Sequence, residues 1–266
     1  DGTADSNTAT VTVTVAAVND APVTTNRAES TTEDQSLAIG LSSSDVEGSS
    51  LTYSIVSNPS NGSTNLVGST VTYIPTANWN GTDTFTYKAN DGTDDSNIST
   101  ATITVVPVND APVTQNQSVS TNEDTAVALT LSVVDVDNVQ GMTRSIVSNP
   151  SNGSVVLSGS GNQTATYTPN ANWNGTDTFT WKANDGTLDS NTATLTITVA
   201  AVNDAPATTN VSSTTAYETA TNITLSGTDI DGDTLTYSIV SDVSNGSTSL
   251  SGSTVSYTPN SAWSGT

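Results

Sequence analysis

The chain repeats itself with a period of a little over 90 residues. The segment Val-Asn-Asp-Ala-Pro begins at Val18, Val108 and Val202, so the two intervals are 90 and 94 residues. The same intervals separate two further sets of markers: Trp79, Trp173 and Trp263, and Asp45, Asp135 and Asp229. A fixed period shared by independent markers is typical of a repeat architecture. The sequence therefore predicts a strand fragment of a preceding repeat at 1–17, repeats at 18–107 and 108–201, and a partial repeat lacking its last strands at 202–266.

Within each repeat the hydrophobic pattern has a period of two. Apolar residues alternate with Thr and other small or polar residues along 126–131, 178–183 and 194–199. This alternation indicates half-buried strands, and the β-branched Thr favours them. The strands predicted for the second repeat are 113–118, 126–132, 142–148, 154–157, 164–167, 177–184 and 192–199. Seven short antiparallel strands predict an all-β fold: a tandem array of seven-stranded Greek-key β-sandwiches of the immunoglobulin-like kind.

Three smaller features give local expectations. The pairs Asn61-Gly62, Asn152-Gly153 and Asn245-Gly246 are expected to supply the positive φ angles of tight turns. The Trp of each repeat is expected to plug one end of the sandwich, the alternative being an exposed platform that stacks on a sugar. The four extra residues of the second repeat fall between Asp135 and Met142 and between Leu157 and Tyr167, and both stretches are predicted to be loop insertions.

The charge balance excludes several classes of partner. The 266 residues include 4 Lys or Arg against 26 Asp or Glu, a net charge of −22. Because this charge repels phosphate groups, we expect no nucleic-acid partner and no attachment to an anionic membrane. No apolar run approaches the roughly 20 residues that span a bilayer, so no membrane insertion is expected in this segment. The sequence has no Cys and no His, which removes thiolate sites and the commonest general base, and we expect no enzyme.

The acidic residues are concentrated in loops and linkers. They lie in the linkers at 20, 110 and 204, near the start of each repeat at 33–34, 123–124 and 218, and after the second strand at 45–47, 135–137 and 229–233. In a seven-stranded sandwich the loops after strands two and six face the preceding linker, so each junction would collect carboxylates from two repeats. Calcium takes six to eight oxygen ligands and suits such a set. The alternative is that these Asp and Asn side chains only cap turns.

The ordered set of motifs resembles a known family over the whole chain. The run Ala183-Asn184-Asp185-Gly186-Thr187, the strand 192–199 and the linker Val202-Asn203-Asp204-Ala205-Pro206 together resemble the cadherin pattern of Ala-x-Asp-x-Gly, last strand and Asn-Asp linker. The set is even more similar to the cadherin-like tandem repeats of large bacterial surface adhesins and secreted proteins, which share the Asn-Asp-Ala-Pro linker and the Glu-Asp-Thr start. This resemblance implies an extracellular array of sandwiches with calcium at the junctions.

The resemblance also implies which residues bind calcium. At the junction between the first two complete repeats, the cadherin roles fall on Glu33, Asp83, Asn109, Asp110, Asp135, Asp137 and Asp185. At the following junction they fall on Glu123, Asp177, Asn203, Asp204, Asp229 and Asp231. Half of an earlier junction is formed by Asp20, Asp45, Glu47 and Asp91. The linkers have Ala where cadherins have a third Asn or Asp, and Glu218 lies one position later in register than Glu123.

The predicted function is that of an extracellular structural stalk or fibre module, part of a long surface adhesin or appendage, whose repeats are stiffened by calcium. Its partners are the neighbouring repeats of the array and, in a fibre, other copies. One alternative is an adhesive module that binds a glycan or protein directly, for which the loop 158–163 is the one distinctive feature. Another is a filament subunit, in which residues 8–15 of one chain add as a strand to the partial repeat of the next.

Overall fold

The computed structural model describes residues 2–137 and 141–266, so part of the first predicted insertion lies outside the described residues. Strands account for 47% of the structure and helix for 1%. The chain divides into two compact units, Asp1–Asp110 and Ala111–Thr266. Among the residues that the structure describes, no helix is long and apolar enough to cross a membrane.

The first complete repeat is a sandwich of a four-stranded and a three-stranded sheet. Its strands are β1 Val23–Thr24, β2 Arg27–Thr32, β3 Leu37–Gly40, β4 Ser43–Ser44, β5 Thr52–Ser57, β6 Gly62–Val67, β7 Thr70–Pro75, β8 Gly81–Asn90 and β9 Ser99–Val106. The larger sheet has the order β2-β9-β8-β5 and the smaller one β3-β7-β6, while β1 pairs with β4. The pair β2–β9 is parallel and the other pairs of this repeat are antiparallel.

The second repeat has the same topology. Its strands are β10 Val113–Thr114, β11 Gln117–Asn122, β12 Val127–Thr130, β13 Val133–Val134, β14 Thr143–Ser148, β15 Gly153–Ser158, β16 Thr164–Pro169, β17 Gly175–Asn184 and β18 Ala193–Ala200. The sheets are β11-β18-β17-β14 and β12-β16-β15, with β10 paired to β13. Each predicted strand has a counterpart, but the predicted first strand, 113–118, is divided between β10 and β11, which belong to different sheets. The second predicted insertion is a loop, with a 3-10 turn at Ser160–Asn162.

The third repeat contains one complete sheet. Its strands are β19 Ala207–Thr208, β20 Thr221–Thr224, β21 Gly227–Thr228, β22 Gly246–Ser251 and β23 Thr254–Pro259, in a sheet of order β20-β23-β22 with β19 paired to β21. Residues 211–216 and 236–241 correspond in sequence to β11 and β14, yet they form no strand. In the second repeat those two strands pair with β18 and β17, whose equivalents do not follow β23 within the 266 residues.

The alternating pattern produces one apolar core in each complete repeat. Along β8 and β17 the side chains of Phe85, Tyr87, Phe179 and Trp181 are fully buried, and they pack against apolar residues of the smaller sheet. Burying a side chain of this kind contributes about 1.5–3 kcal/mol. These large apolar residues form a core because the strand period directs them to the same side of each sheet, while others such as Val67 and Ile74 remain exposed.

Packing explains why each repeat has a tryptophan at the same place. Trp79 and Trp173 are half-buried and contact the apolar cores of their own repeats. Gly81 and Gly175 lie against the indoles with φ of 138° and 136°, and a Cβ at these glycines would approach the rings to 3.0 and 3.1 Å. The interpretation of these rings as core plugs is thus confirmed for both complete repeats.

The expectation for the Asn-Gly pairs is wrong. Asn152 and Gly153 both lie outside the positive-φ region, as do the corresponding pairs of the other repeats. A Cβ on Gly153 would instead lie 2.5 Å from Cε2 of Tyr167 and 2.6 Å from the carbonyl oxygen of Thr168. Glycine is required at the start of β15 because the neighbouring strand and its Tyr ring leave no room for a side chain.

Candidate cation site at the repeat junction

The linker between the second and third repeats lies within the second unit and contacts both of them. The backbone N–H of Val202 donates to Glu123 Oε1 at 2.5 Å, which attaches the linker to the end of β11. Two residues later, the N–H of Asp204 donates to Asp231 Oδ2 at 2.6 Å, in the loop after β21. The prediction that the loop after the second strand faces the preceding linker is therefore confirmed at this junction.

Two carboxylates and one amide converge beside this linker. The backbone N–H of Asn172 donates to Asp124 Oδ1 at 3.0 Å, which brings the Asn172 side chain to the end of the second repeat. In the orientation that satisfies its hydrogen bonds, its Nδ2 donates to Asp124 Oδ2 and to Asp204 Oδ2 at 3.2 Å each. The Asn172 amide thus bridges a carboxylate of the second repeat and a carboxylate of the linker.

The charges around Asp204 make this position electrostatically unfavourable for a further anion. Partial desolvation and then the charges of Asp231, Asp124 and Glu123 raise the pKa of Asp204. Among the described residues the ion pairs are Arg27–Glu29, Lys88–Asp95 and Lys182–Asp189, and none of them involves the acids around Asp204. A cation at the junction would relieve the repulsion that these acids exert on one another.

Carboxylates alone do not complete a metal site here. Within residues 2–137 and 141–266, no group of three or more acidic side chains is placed so that it could hold a metal ion. A cation beside Asp204 would therefore have to turn the Asn172 amide over, so that the amide oxygen becomes the third ligand. Such a mixture of carboxylate and amide oxygens is the ligand chemistry of calcium rather than that of a softer metal.

Turn capping accounts for one oxygen of most of the predicted loop ligands. Asp45 accepts from the N–H of Ser49, Asp91 from those of Thr93 and Asp94, Asp135 from that of Asp137, Asp185 from those of Thr187 and Leu188, and Asp229 from those of Asp231 and Asp233. The alternative interpretation of these acids therefore has direct support. Turn capping does not account for the second oxygen of Asp45, which is buried and has no hydrogen-bond partner.

The earlier half-junction is formed at the start of the first unit. The side-chain amide of Asn19 donates to Asp91 Oδ2 at 2.9 Å and to Asp94 Oδ2 at 3.0 Å. The N–H of Asp20 donates to Glu47 Oε2 at 3.4 Å. This linker thus reaches the loops after β4 and β8, and an Asn side chain again lies between two carboxylates.

Glu33 and Glu123 connect strand ends to the linkers that follow. Glu33 is 3% exposed, its Oε1 accepts from the N–H of Val108 at 2.6 Å, and its Oε2 is buried with no hydrogen-bond partner. Glu33, Asp83, Asn109 and Asp110 belong to the first unit, whereas the other three predicted ligands of the corresponding junction, Asp135, Asp137 and Asp185, belong to the second. The pairing of Glu33 with Val108 repeats that of Glu123 with Val202.

Asp177 and Asp83, also predicted as ligands, are engaged within their own repeats. Asp177 is 4% exposed, and its carboxylate accepts from the N–H groups of Ser151, Asn152 and Thr178 and from the hydroxyl of Tyr167, at 2.8–3.0 Å. Asp83 makes the equivalent set of bonds in the first repeat. We therefore assign both to the fold and leave them out of the site proposed below.

Asp124 and Asn172 are functional candidates that the sequence reasoning missed. Their equivalent positions in the repeats could have revealed them. Asp34, Asp124 and Glu218 each have φ between 51° and 61°, and each accepts the N–H of the residue preceding a tryptophan. Glu218 thus occupies the register of Asp124 and not that of Glu123, where the third repeat has Tyr217. The predicted ligand Asn203 donates its side-chain amide to the backbone carbonyl of Asp204.

Tandem two-sheet sandwiches with acid-rich linkers define the class: an array of immunoglobulin-like repeats. The sequence profile of the family described as Bacterial Ig domain matches residues 19–105, 109–198 and 203–266. The chain belongs to this family. Bacterial Ig domains in tandem are commonly extracellular surface modules of the adhesin type.

A solved cadherin structure supports the fold, and a hydrolase match is weaker. The extracellular cadherin domains 3–6 of protocadherin gamma B2 match with 14% identity and a TM-score of 0.50, covering 90% of this chain and 65% of that one. An endo-fucoidan hydrolase of glycoside hydrolase family 107 matches with 22% identity and a TM-score of 0.32, covering 68% of this chain. The chain spans only 29% of the length of that hydrolase. No curated protein matches the chain by sequence.

Proposed function

We propose that this chain is a structural module of an extracellular stalk or fibre, in which calcium held at the repeat junctions limits bending between adjacent sandwiches. The module is non-enzymatic, and its partners are the neighbouring repeats of the same array. The observation that carries the proposal is the convergence of Asp124, Asn172 and Asp204, one from each of two loops and one from the linker. Asp124 and Asn172 belong to the second repeat and Asp204 to the linker, whose N–H also donates to Asp231 of the third repeat, so a shared ligand would couple the linker to the second repeat.

The acids at this joint suit calcium. Asp124 Oδ2 and Asp204 Oδ2 both lie 3.2 Å from the Asn172 amide nitrogen, so a cation that bound between them would turn the amide over and add its oxygen as a third ligand. The remaining acids that act on Asp204 are Glu123, Asp229 and Asp231, which supply further charge and oxygens. When bound, calcium would provide the positive charge that the local sequence lacks.

The other two junctions are proposed to work in the same way. In the first unit, the Asn19 amide lies between Asp91 and Asp94, and Asp45, in the loop after β4, has a buried oxygen without a hydrogen-bond partner. At the end of this unit, Glu33 retains a buried oxygen without a partner. A buried carboxylate oxygen with no donor is costly unless a cation completes it. Extracellular modules of this kind bind calcium at about 10⁻⁴ to 10⁻³ M.

Small-angle X-ray scattering of the full chain tests this function. In millimolar calcium the maximum dimension is expected to be larger, and the range of conformations narrower, than in chelator, because the joints can no longer bend freely. Asp204→Asn is expected to reduce this difference, whereas Asp242→Asn is the matched control, since it removes the same charge from a residue outside the site. Identical scattering in calcium and in chelator would contradict the proposal.

A further inference from the structure

Strand β5, at one edge of the larger sheet of the first repeat, has a neighbouring strand on one side only. Its Tyr53 faces Ala89 of β8, but the N–H of Ala89 donates to Ser96 Oγ, and the carbonyl of Ala89 accepts from the N–H of Ser96. Facing residues of an antiparallel pair exchange both backbone bonds or neither, so the N–H and the carbonyl of Tyr53 point away from β8. The same alternation directs the backbone groups of Leu51 and Ile55 to the open side.

The second repeat covers the equivalent edge with its own chain. Arg144 corresponds to Tyr53, and its carbonyl accepts from Asn162 Nδ2 at 3.0 Å. Gly161 lies so close to the start of β14 that a Cβ on it would be 1.9 Å from the carbonyl oxygen of Met142. The backbone position that is open in the first repeat is therefore occupied in the second.

The length of one loop accounts for this difference. The five residues 159–163 connect β15 to β16, whereas Gly68 and Ser69 alone connect β6 to β7. The longer loop contacts β14 and β15. At the corresponding place the first repeat has a groove of about 430 Å³, lined by Leu51, Thr52, Tyr53, Leu66, Gly68 and Ser69. The edge of β5 thus has room beside it for another backbone.

The segment that forms this side of the first repeat carries no charge. Residues 48–82 contain no Asp, Glu, Lys or Arg, although the chain as a whole has a net charge of −22. The charged residue that faces β5 across the sheet is Lys88, opposite Ser54, and it pairs with Asp95. Two copies of so acidic a chain repel each other, but at β5 they can approach without bringing carboxylates together.

The edge of β5 is complementary to a second copy of itself. With a two-fold axis through Tyr53, this residue faces its own counterpart, and Leu51 faces Ile55 of the second copy. All three residues with outward-pointing backbone groups are then paired, whereas an axis through Thr52 or Ser54 leaves one of them out. Two-fold contacts are the commonest between identical chains, and an open strand edge is a template for pairing with another chain.

We propose that β5 of the first repeat is a surface by which two copies of this chain associate, through antiparallel pairing of β5 with β5 of the second copy. The loop 159–163 excludes the second repeat from the same contact. Pairing of this kind would join copies of the chain in a fibre. The inference concerns an edge within the first repeat and does not depend on calcium at the junctions.

Analytical ultracentrifugation of the full chain in chelator tests the pairing. The unsubstituted chain is expected to shift from monomer to dimer as its concentration rises to about 1 mM, since one strand edge buries less than the roughly 1,200 Å² of a stable interface. Thr52→Asp adds a carboxylate at the contact and is expected to weaken dimerisation at least about tenfold. Thr143→Asp is the matched control, because this exposed Thr has the same position in the second repeat, and it is expected to leave dimerisation unchanged.

Exchange of the two connections gives a second, independent test. Replacement of Gly68-Ser69 by the five residues 159–163 is expected to cover β5 and keep the chain monomeric. The reverse replacement, of 159–163 by Gly-Ser, is expected to open β14 and give assemblies larger than dimers. Heat unfolding of both variants would verify that they are folded.

Disulfide formation tests the register, because the chain has no Cys of its own. Thr52 of one copy would face Ser54 of the other at a Cα separation of about 4.5 Å, which a disulfide can bridge. A mixture of Thr52→Cys and Ser54→Cys chains is therefore expected to crosslink, and neither chain alone is. A chain that stays monomeric at every concentration would overturn the proposal. So would dimers that persist in Thr52→Asp, or crosslinking that is equal in the mixture and in the separate samples.

Discussion

Asp177→Ala is expected to lower the free energy of unfolding of the second repeat by about 3–4 kcal/mol, a large part of the stability of a domain of this size. The buried carboxylate accepts bonds from the N–H groups of Ser151, Asn152 and Thr178 and from the Tyr167 hydroxyl. Its removal leaves three part-buried N–H groups without this acceptor, while the Tyr167 hydroxyl retains the carbonyl of Asn152 at 3.2 Å. Urea unfolding followed by the fluorescence of Trp181 and Trp173 would report the loss.

The control for this variant is an exposed carboxylate in the same repeat. Asp189 pairs with Lys182 at the surface, and Asp189→Ala is expected to cost less than about 1 kcal/mol. The first repeat provides a second check, because Asp83→Ala removes the equivalent buried acceptor and should destabilise that repeat to a similar extent. If Asp177→Ala and Asp189→Ala were equally mild, the assignment of Asp177 to the fold would be wrong.

The same carboxylate makes the second repeat sensitive to acid. Desolvation opposes its charge, but the N–H groups of Asn152, Ser151 and Thr178 and the Tyr167 hydroxyl outweigh it and lower the pKa of Asp177. Because the pKa of Asp177 is lower in the folded state than in the unfolded state, the contribution of the charged carboxylate to the free energy of unfolding is fully present above the usual pKa of an Asp. It is lost as the pH falls through the lower, folded value.

Calcium is expected to stabilise the second unit by about 2.7 kcal/mol at a free concentration one hundred times its dissociation constant, since binding to the folded state alone shifts the equilibrium by mass action. Heat unfolding in calcium and in chelator would measure this difference. The ion would neutralise acids whose repulsion already raises the pKa of Asp204. Magnesium demands a tighter octahedral shell and is expected to be the weaker stabiliser.

Asp204→Asn is expected to change sign between the two conditions. In chelator the variant should be slightly more stable than the unsubstituted chain, because it removes a charge that is disfavoured in the folded state. In calcium it should be less stable, because a ligand and a negative charge are lost. A variant that was destabilised equally in both conditions would indicate that Asp204 serves the fold and not the ion.

The repeat period and the strand alternation were enough to predict the fold. Three markers at a fixed interval define one folding unit, and period-two segments such as 178–183 can only bury one face as strands. The division of 113–118 between β10 and β11 was not predictable, because Gln115 and Asn116 carry no signal distinguishing a bend from a continuous strand. The Asn-Gly pairs misled for a related reason: Gly153 makes room for the Tyr167 ring, which sequence proximity does not reveal.

The sequence predicted that acids would gather around the linkers, whereas their role as calcium ligands stays a prediction. The sequence pointed to the linkers and to the acids around them, and Asp204, Asp231 and Glu123 do lie together. It could not separate acids that face the joint from acids that hold the fold, because Asp177 differs from them only by its buried donors. Asn172 escaped notice because an amide attracts attention only when its neighbours in space are known.

The most direct test is a crystal structure of the full chain grown in calcium. The account predicts an electron-density peak between the second and third repeats, at about 2.3–2.6 Å from the side-chain oxygens of Asn172, Asp124 and Asp204. The contradicting result is equally distinct. With no peak present, Nδ2 of Asn172 would donate to both carboxylates, and the junction would be held together by hydrogen bonds alone.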